Sequence, residues 1–149
     1  MKTAFIPIPL KKTEQVDWIQ PLRSYLKRIY GNYKDFENET VQFNKLRSDI
    51  TGASKDTTGL DIYYKYYGQL ELLDLRMPID QHGGVNIDFK WFDSLKSSKL
   101  VSQHSLAFEK ASVTNIFKNL LVYYNLLWKI SYIVHQMIYL KIWLKLYKN

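Results

Sequence analysis

The sequence predicts a mostly α protein with a small β-sheet towards its N-terminal end. Apolar residues recur at helical spacing in four stretches, and two further stretches read as extended chain. Gly and Pro punctuate the boundaries between them. A length of 149 residues suits one ordinary domain. With 46% hydrophobic and 15% aromatic residues, the chain carries enough apolar area to offset the entropy that keeps disordered chains open.

The first element expected is an extended stretch over Thr3–Leu10. Ala4, Ile6, Ile8 and Leu10 share one face, and Pro7 and Pro9 cannot donate to a ladder, so this strand belongs at an edge. A helix follows from about Trp18 to Ile29, with Asp17 as its cap, Pro21 in the first turn and Gly31 as its stop. Leu22, Tyr25, Leu26 and Ile29 form its apolar stripe. The second helix spans about Asp35 to Ile50, turning Phe36, Phe43, Leu46 and Ile50 inward, with Gly52 beyond its end.

Residues Gly52 to Gly59 read as a polar loop. Thr58 followed by Asp61 reads as the capped start of a third helix, which runs to Arg76 before Pro78 stops it. Its stripe is Leu60, Tyr63, Tyr64, Tyr67 and Leu70. Gly83-Gly84 then opens a strand of strict alternation: Val85, Ile87, Phe89 and Trp91 on one face, Asn86, Asp88 and Lys90 on the other. A last helix begins near Gln103 or Ser105, with Leu106, Ala107, Lys110 and Ala111 at helical spacing.

Catalytic chemistry finds no foothold in this pattern. His82, His104 and His135 stand apart from acids at metal-ligand spacing, and there is no cysteine. Glu71 and Asp74 share a helix face without a third ligand, and read as surface carboxylates. No Gly-x-Ser-x-Gly elbow, phosphate-binding glycine loop or Walker lysine occurs. No catalytic, cofactor-binding or metal residue is assigned, and no cofactor is expected. The tyrosines 63, 64, 66 and 67 could stack bases, but their match to Leu60 and Leu70 favours core packing. Lys11-Lys12 and Lys27-Arg28 could touch acidic head groups, though solvated charge explains them equally. Lys11 and Lys12 also interrupt any signal-peptide core, so cytosolic synthesis is expected.

The net charge of +7 is unevenly placed. Residues 1–112 hold 16 Lys/Arg against 14 Asp/Glu, whereas residues 113–149 hold five lysines and no acid. A nearly neutral body does not predict a nucleic-acid partner. The same point divides the composition. Every Gly, Pro, Asp, Glu, Arg and Ala precedes residue 113; these six types fill 32 of the first 112 positions, so about ten would be expected among the last 37. Three readings stay open for that tail. It could be translated intron or frame-shifted sequence, a buried helix of a larger core, or a membrane anchor. As a helix, residues 119–140 would be about 33 Å long, enough to cross a bilayer. Lys129 in mid-span would cost that anchor about 2.5–3.5 kcal/mol.

Several blocks occur together in one known family. They are IPIPLKKTEQVDWIQPLRSYLKRIYG, LRSDITGASKD, YYKYYGQLELLDLRMPID, IDFKWFDS and SQHSLAFEKAS, in this order and at matching spacing. Over about residues 3–113 the chain resembles the N-terminal part of a Bro-one domain of the Bro/ALIX family. The wording sits nearer the fungal vacuolar protein-sorting branch than the animal ALIX or PalA pH-signalling branches.

The resemblance implies a curved α-solenoid, cut short here, with a small β-sheet near its start. It implies a non-catalytic endosomal sorting adaptor on the cytosolic, peripheral face of the endosome. The implied partners are an ESCRT-III filament subunit, bound as a helix in a concave groove, and a ubiquitin hydrolase, both in multivesicular-body cargo sorting. The family's groove positions lie beyond the divergence at Val113, so none is carried over to this sequence. The resemblance thus divides the chain into a partial Bro-one domain, 1–113, and an apolar lysine-containing tail, 114–149. A solenoid unit buries its apolar face only against its neighbours, so a chain that stops early is expected to be marginally stable or poorly soluble. The alternative function is a small membrane-anchored protein that uses residues 119–140.

Overall fold

The computed structural model describes residues 9–79 and 82–123, together with Met137. Among them are four α-helices, α1 (Ile19–Tyr30), α2 (Glu37–Thr51), α3 (Thr57–Asp74) and α4 (Leu106–Tyr123), with β1 (Phe89–Phe92) and β2 (Leu100–Gln103) between α3 and α4. The chain is mostly α with a small sheet, the class its periodicity predicts. Helix α2 packs on both α1 and α3, α3 packs on α4, and α4 leans on β1.

Helix α1 buries Leu22 and Leu26, each side chain worth about 1.5–3 kcal/mol relative to an exposed one. Gly31 follows at φ 71, in the left-handed region that ends a helix without a Cβ penalty. Ile29, expected inward, is 53% exposed, because the buried stripe ends one turn earlier. At the other end the helix starts after Trp18. Asp17 does not sit at the cap itself; its carboxylate accepts from Ile19 N, while Trp18 N donates to the Asn44 side chain.

A short 3₁₀ turn, Lys34–Phe36, precedes α2, so the second helix begins two residues later than Asp35. Ile50 is buried, Phe43 and Leu46 are half-buried, and Phe36 lies at the surface. Helix α3 is capped by Asp56 rather than Thr58: the Asp56 carboxylate accepts from Gly59 N at 2.9 Å. Gly59 is required there, since a Cβ would fall 1.8 Å from the Ser54 carbonyl oxygen. The helix ends at Asp74, two residues before the expected Arg76.

The Asp56 carboxyl titrates below its ordinary value, chiefly through the Ser54 hydroxyl and then the Gly59 amide. A lowered carboxyl favours the fold above the unfolded-state value and loses that contribution as pH falls through the folded one. Acid titration of thermal stability is therefore expected to show a downward step below pH 3.8. Asp56→Asn, which keeps an acceptor without the charge, is expected to flatten that step. Unchanged acid profiles in the two proteins would refute the assignment.

The alternation from Val85 to Trp91 is real in its burial, for Val85, Ile87, Phe89 and Trp91 are all buried. Only its second half is a strand. β1 pairs antiparallel with β2, in the register Phe89↔Gln103 to Phe92↔Leu100. Strand β2 was not foreseen, because Leu-Val-Ser-Gln is largely exposed and lacks alternation. On the other side of β1 runs the extended arm Lys12–Glu14, with Glu14 N on Lys90 O, Phe92 N on Lys12 O, and a bridge at Thr13↔Trp91. This arm lies later in the chain than the predicted edge strand, of which residues 3–8 fall outside the described residues.

Helix α4 begins at Leu106 and continues without interruption through Val113. Its inward side chains are Leu106, Glu109, Ser112, Val113, Ile116, Phe117, Leu120 and Leu121. Ala107 and Ala111 face out, contrary to expectation, because the inward phase runs through the glutamate. His135 and most of the 119–140 stretch lie outside the described residues. Among those described, no helix is long and apolar enough to cross a membrane.

Candidate functional site

The most unusual chemistry lies at the centre of the fold. Arg47 on α2 and Glu109 on α4 are both 0% exposed, and Arg47 Nε donates to Glu109 Oε1 at 2.9 Å. Two charges so deeply buried are costly unless every lone pair is met. Tyr66 Oη on α3 donates to the same Oε1 at 2.9 Å, and Trp91 Nε1 on β1 donates to Oε2 at 2.5 Å. Trp18 Nε1 donates to Tyr66 Oη at 3.2 Å, and Arg47 Nη2 reaches Thr13 Oγ1 on the arm at 2.6 Å. The arm, the start of α1, helices α2, α3 and α4, and β1 thus meet at one carboxylate–guanidinium pair.

Aromatic rings enclose this hub. The Arg47 guanidinium lies 5.5 Å from the Trp91 ring and 5.9 Å from that of Tyr66. Trp18 packs on Phe43 at 4.8 Å and on Phe89 at 5.6 Å, and Phe43 stacks on Tyr66. Burial, then the Glu109 charge, holds the Tyr66 phenol well above its ordinary value, so it stays protonated and donates. Burial also raises Tyr63, whose hydroxyl donates to the Ile50 carbonyl at 2.9 Å. Both Glu109 oxygens are engaged, while Arg47 Nη1 is buried without a hydrogen-bond partner among the described residues; the 0% exposed pair fixes the relative placement of six segments.

The tyrosine run divides differently from its predicted stripe. Tyr66 is the fully buried member and Tyr64 is surface-exposed, because the inward phase of α3 is 60, 63, 66 and 70. Tyr67 is half-buried, and its phenol is raised by burial and then by its hydrogen bond to Glu71. Phe117 of α4 lies edge-on to the rings of Tyr63, Tyr64 and Tyr67, 6.2–6.5 Å away. The run therefore packs on α4.

The remaining sequence candidates scatter. Glu71 and Asp74 both pair with Lys110 Nζ, at 3.2 and 2.6 Å, and so tie α3 to α4. His104 Nδ1 lies 2.9 Å from the Ile87 carbonyl. Among the described residues no cluster of three or more His, Asp or Glu is placed to hold a metal. A shallow cleft of about 300 Å3 runs between α1 and residues 84–86, but its one cation, Arg28, lies over the Tyr25 ring and donates to Gly83 O. Sequence reading overlooked the hub. The available signal was a pair of opposite charges at interior stripe positions: Arg47 between Phe43 and Ile50, Glu109 between Leu106 and Val113.

The sequence matches the BRO1-like domain family over residues 5–117. The chain belongs to that family. Among curated BRO1-like relatives, the vacuolar protein-sorting protein bro1 of Emericella nidulans is 48% identical over 115 residues, which cover 76% of this chain and 11% of that protein. The bro1 of Schizosaccharomyces pombe is 42% identical over 114 residues, covering 76% of this chain and 15% of that one. The chain thus spans a small fraction of the length of these relatives.

Solved structures agree on the fold. One determined for endosomal targeting by the Bro1 domain superposes with a TM-score of 0.64 at 30% identity, covering 80% of this chain and 35% of that chain. ALIX in complex with the SIVmac239 PYKEVTEDL late domain gives 0.69 at 25% identity, covering 79% and 18%. The ALIX BRO1 domain in complex with CHMP4C gives 0.69 at 24% identity, covering 78% and 36%. The helical BRO1-like fold read from the sequence blocks is therefore present, with its small sheet.

Proposed function

We propose that this chain is the opening portion of a non-catalytic endosomal sorting adaptor, whose complete domain binds an ESCRT-III filament subunit during multivesicular-body cargo sorting. The family match over residues 5–117 carries the reading. Supporting it, the relatives are named vacuolar protein-sorting proteins, and a neighbour at 30% identity concerns endosomal targeting. In this reading the work is done at the cytosolic face of the endosome by peripheral attachment, and a ubiquitin hydrolase is a second partner.

The contact is a helix laid in a groove, which demands a stiff concave wall. The hub suits such a wall, because it locks the end unit onto which later helices stack. In this reading the groove side chains belong to helices after residue 113, so the portion 1–113 shapes the wall and those later helices bind. The same reading begins the tail at 114, although the family match runs on to residue 117, and the tail's apolar composition supplies Ile116, Phe117, Leu120 and Leu121 at inward spacing. Comparing transcript with genome across codon 113 tests that division; an uninterrupted exon removes the intron reading.

A domain exchange tests the function. Residues 5–113, placed in the Schizosaccharomyces pombe relative in place of the matching segment, are expected to preserve delivery of cargo to the vacuole. A folded chimera that no longer sorts would sink the proposal. Resistance of the tagged full chain to carbonate extraction would favour an anchored protein instead.

A further inference from the structure

We propose that the outer edge of β2 is a second docking surface, which takes an acidic segment in extended conformation by strand addition. The argument begins with bond direction. Lys90 O accepts from Glu14 N and Phe92 N donates to Lys12 O, so Lys90 and Phe92 turn their backbone groups to the arm. Directions alternate in an antiparallel ladder, so Phe89 and Trp91 bond across to Gln103 and Val101. The amides and carbonyls of Leu100 and Ser102 consequently point away from β1.

No further strand lies beyond β2 among the described residues. Leu100, Ser102 and Gln103 are exposed. Such an edge is a template for another chain. Its length is only four residues, so the partner must gain from side chains as well as from backbone bonds.

Charge selects the occupant. Lys96 and Lys99 are exposed beside the strand, and neither forms a close ion pair among the described residues, although Lys99 helps hold the Asp93 carboxyl below its ordinary value. The nearby acids keep their charge but have hydrogen-bond partners of their own. Asp93 accepts from the amides of Leu95 and Lys96, and Asp88 accepts from the Ser102 hydroxyl and faces His104 Nε2. Leu95, 84% exposed, and Leu100, 41% exposed, add apolar contact at the same end. A second copy is the poorer occupant, since pairing edge to edge it would bring its own Lys96 and Lys99 to the same basic strand end.

The test uses the full chain and a short end-blocked peptide alternating Glu and Val, with its Lys/Val counterpart as control. The Glu peptide is expected to bind and to slow amide hydrogen exchange at Leu100 and Ser102. Val101 and Gln103, already bonded to β1, should be protected with or without it. Ser102→Pro removes an outward donor together with the Ser102–Asp88 side-chain bond and spares the backbone bonds to β1. It is expected to weaken binding about tenfold or more, with circular dichroism unchanged. Ser102→Ala, which loses the side-chain bond alone, should bind as the parent does. Should that variant misfold, Lys96→Glu with Lys99→Glu provides the second reading, a loss of preference for the Glu peptide.

Three results would overturn the proposal. One is equal binding of both peptides, and another is protection of Leu100 and Ser102 in the free chain. The third is binding to anionic vesicles that depends on Leu95 and not on Ser102, which would make this tip a membrane contact.

Discussion

Arg47→Met is expected to cost the fold about 3–5 kcal/mol, the penalty for stranding one member of a buried ion pair. Among the described residues, Glu109 would be left inside the protein with Tyr66 and Trp91 as its donors. A loss of that size is a large share of the ~5–15 kcal/mol that holds a typical domain together. Denaturant titration of the full chain, followed by tryptophan fluorescence, measures it. Adding Glu109→Gln should recover part of the loss. The amide oxygen still accepts from Tyr66 or Trp91, and no net charge remains buried. A single Arg47→Met variant within about 0.5 kcal/mol of the parent would deny the hub its role, since that is the range of ordinary surface changes.

Phe117→Ala carries the second large effect, again about 3–5 kcal/mol, because an almost fully buried ring leaves a cavity among Tyr63, Tyr64 and Tyr67. The comparison is Lys118→Ala, one residue on and exposed, which should be nearly neutral. The pair of measurements asks whether the sequence after Val113 is part of the folded body. Equal stabilities would mean that α4 ends functionally before Phe117, and the ring contacts contribute nothing.

The helices were legible because their punctuation is chemical. Gly31 and Pro78 close α1 and α3 where a left-handed residue or a missing donor forces the chain out. Less legible was the phase of α3. Tyr63, Tyr64, Tyr66 and Tyr67 offer aromatic surface in nearly every direction, and partners distant in sequence, Glu109, Trp18 and Phe43, hold Tyr66 in the interior. Strand β2 was invisible for a related reason: it is held by backbone bonds to β1 and buries almost nothing.

The hub was hidden by the rule that charges lie outside, which is sound for single residues and fails for a matched pair. Arg47 and Glu109 are 62 positions apart, so neither predicts the other without the fold. The family blocks carried what periodicity could not. They contain both residues, in LRSDITGASKD and SQHSLAFEKAS, without revealing why either is there.

The reach of Glu109 governs the order in which the protein can be made. Its partners Arg47, Tyr66 and Trp91 lie 62, 43 and 18 positions upstream, so a ribosome has released all three before the carboxylate that fastens them emerges from the exit tunnel. Until then the nascent chain holds a guanidinium that cannot be buried cheaply, so its first three helices are expected to pack incompletely. Emergence of the start of α4 from the tunnel, later than its translation, is therefore the point at which the assembly is expected to close.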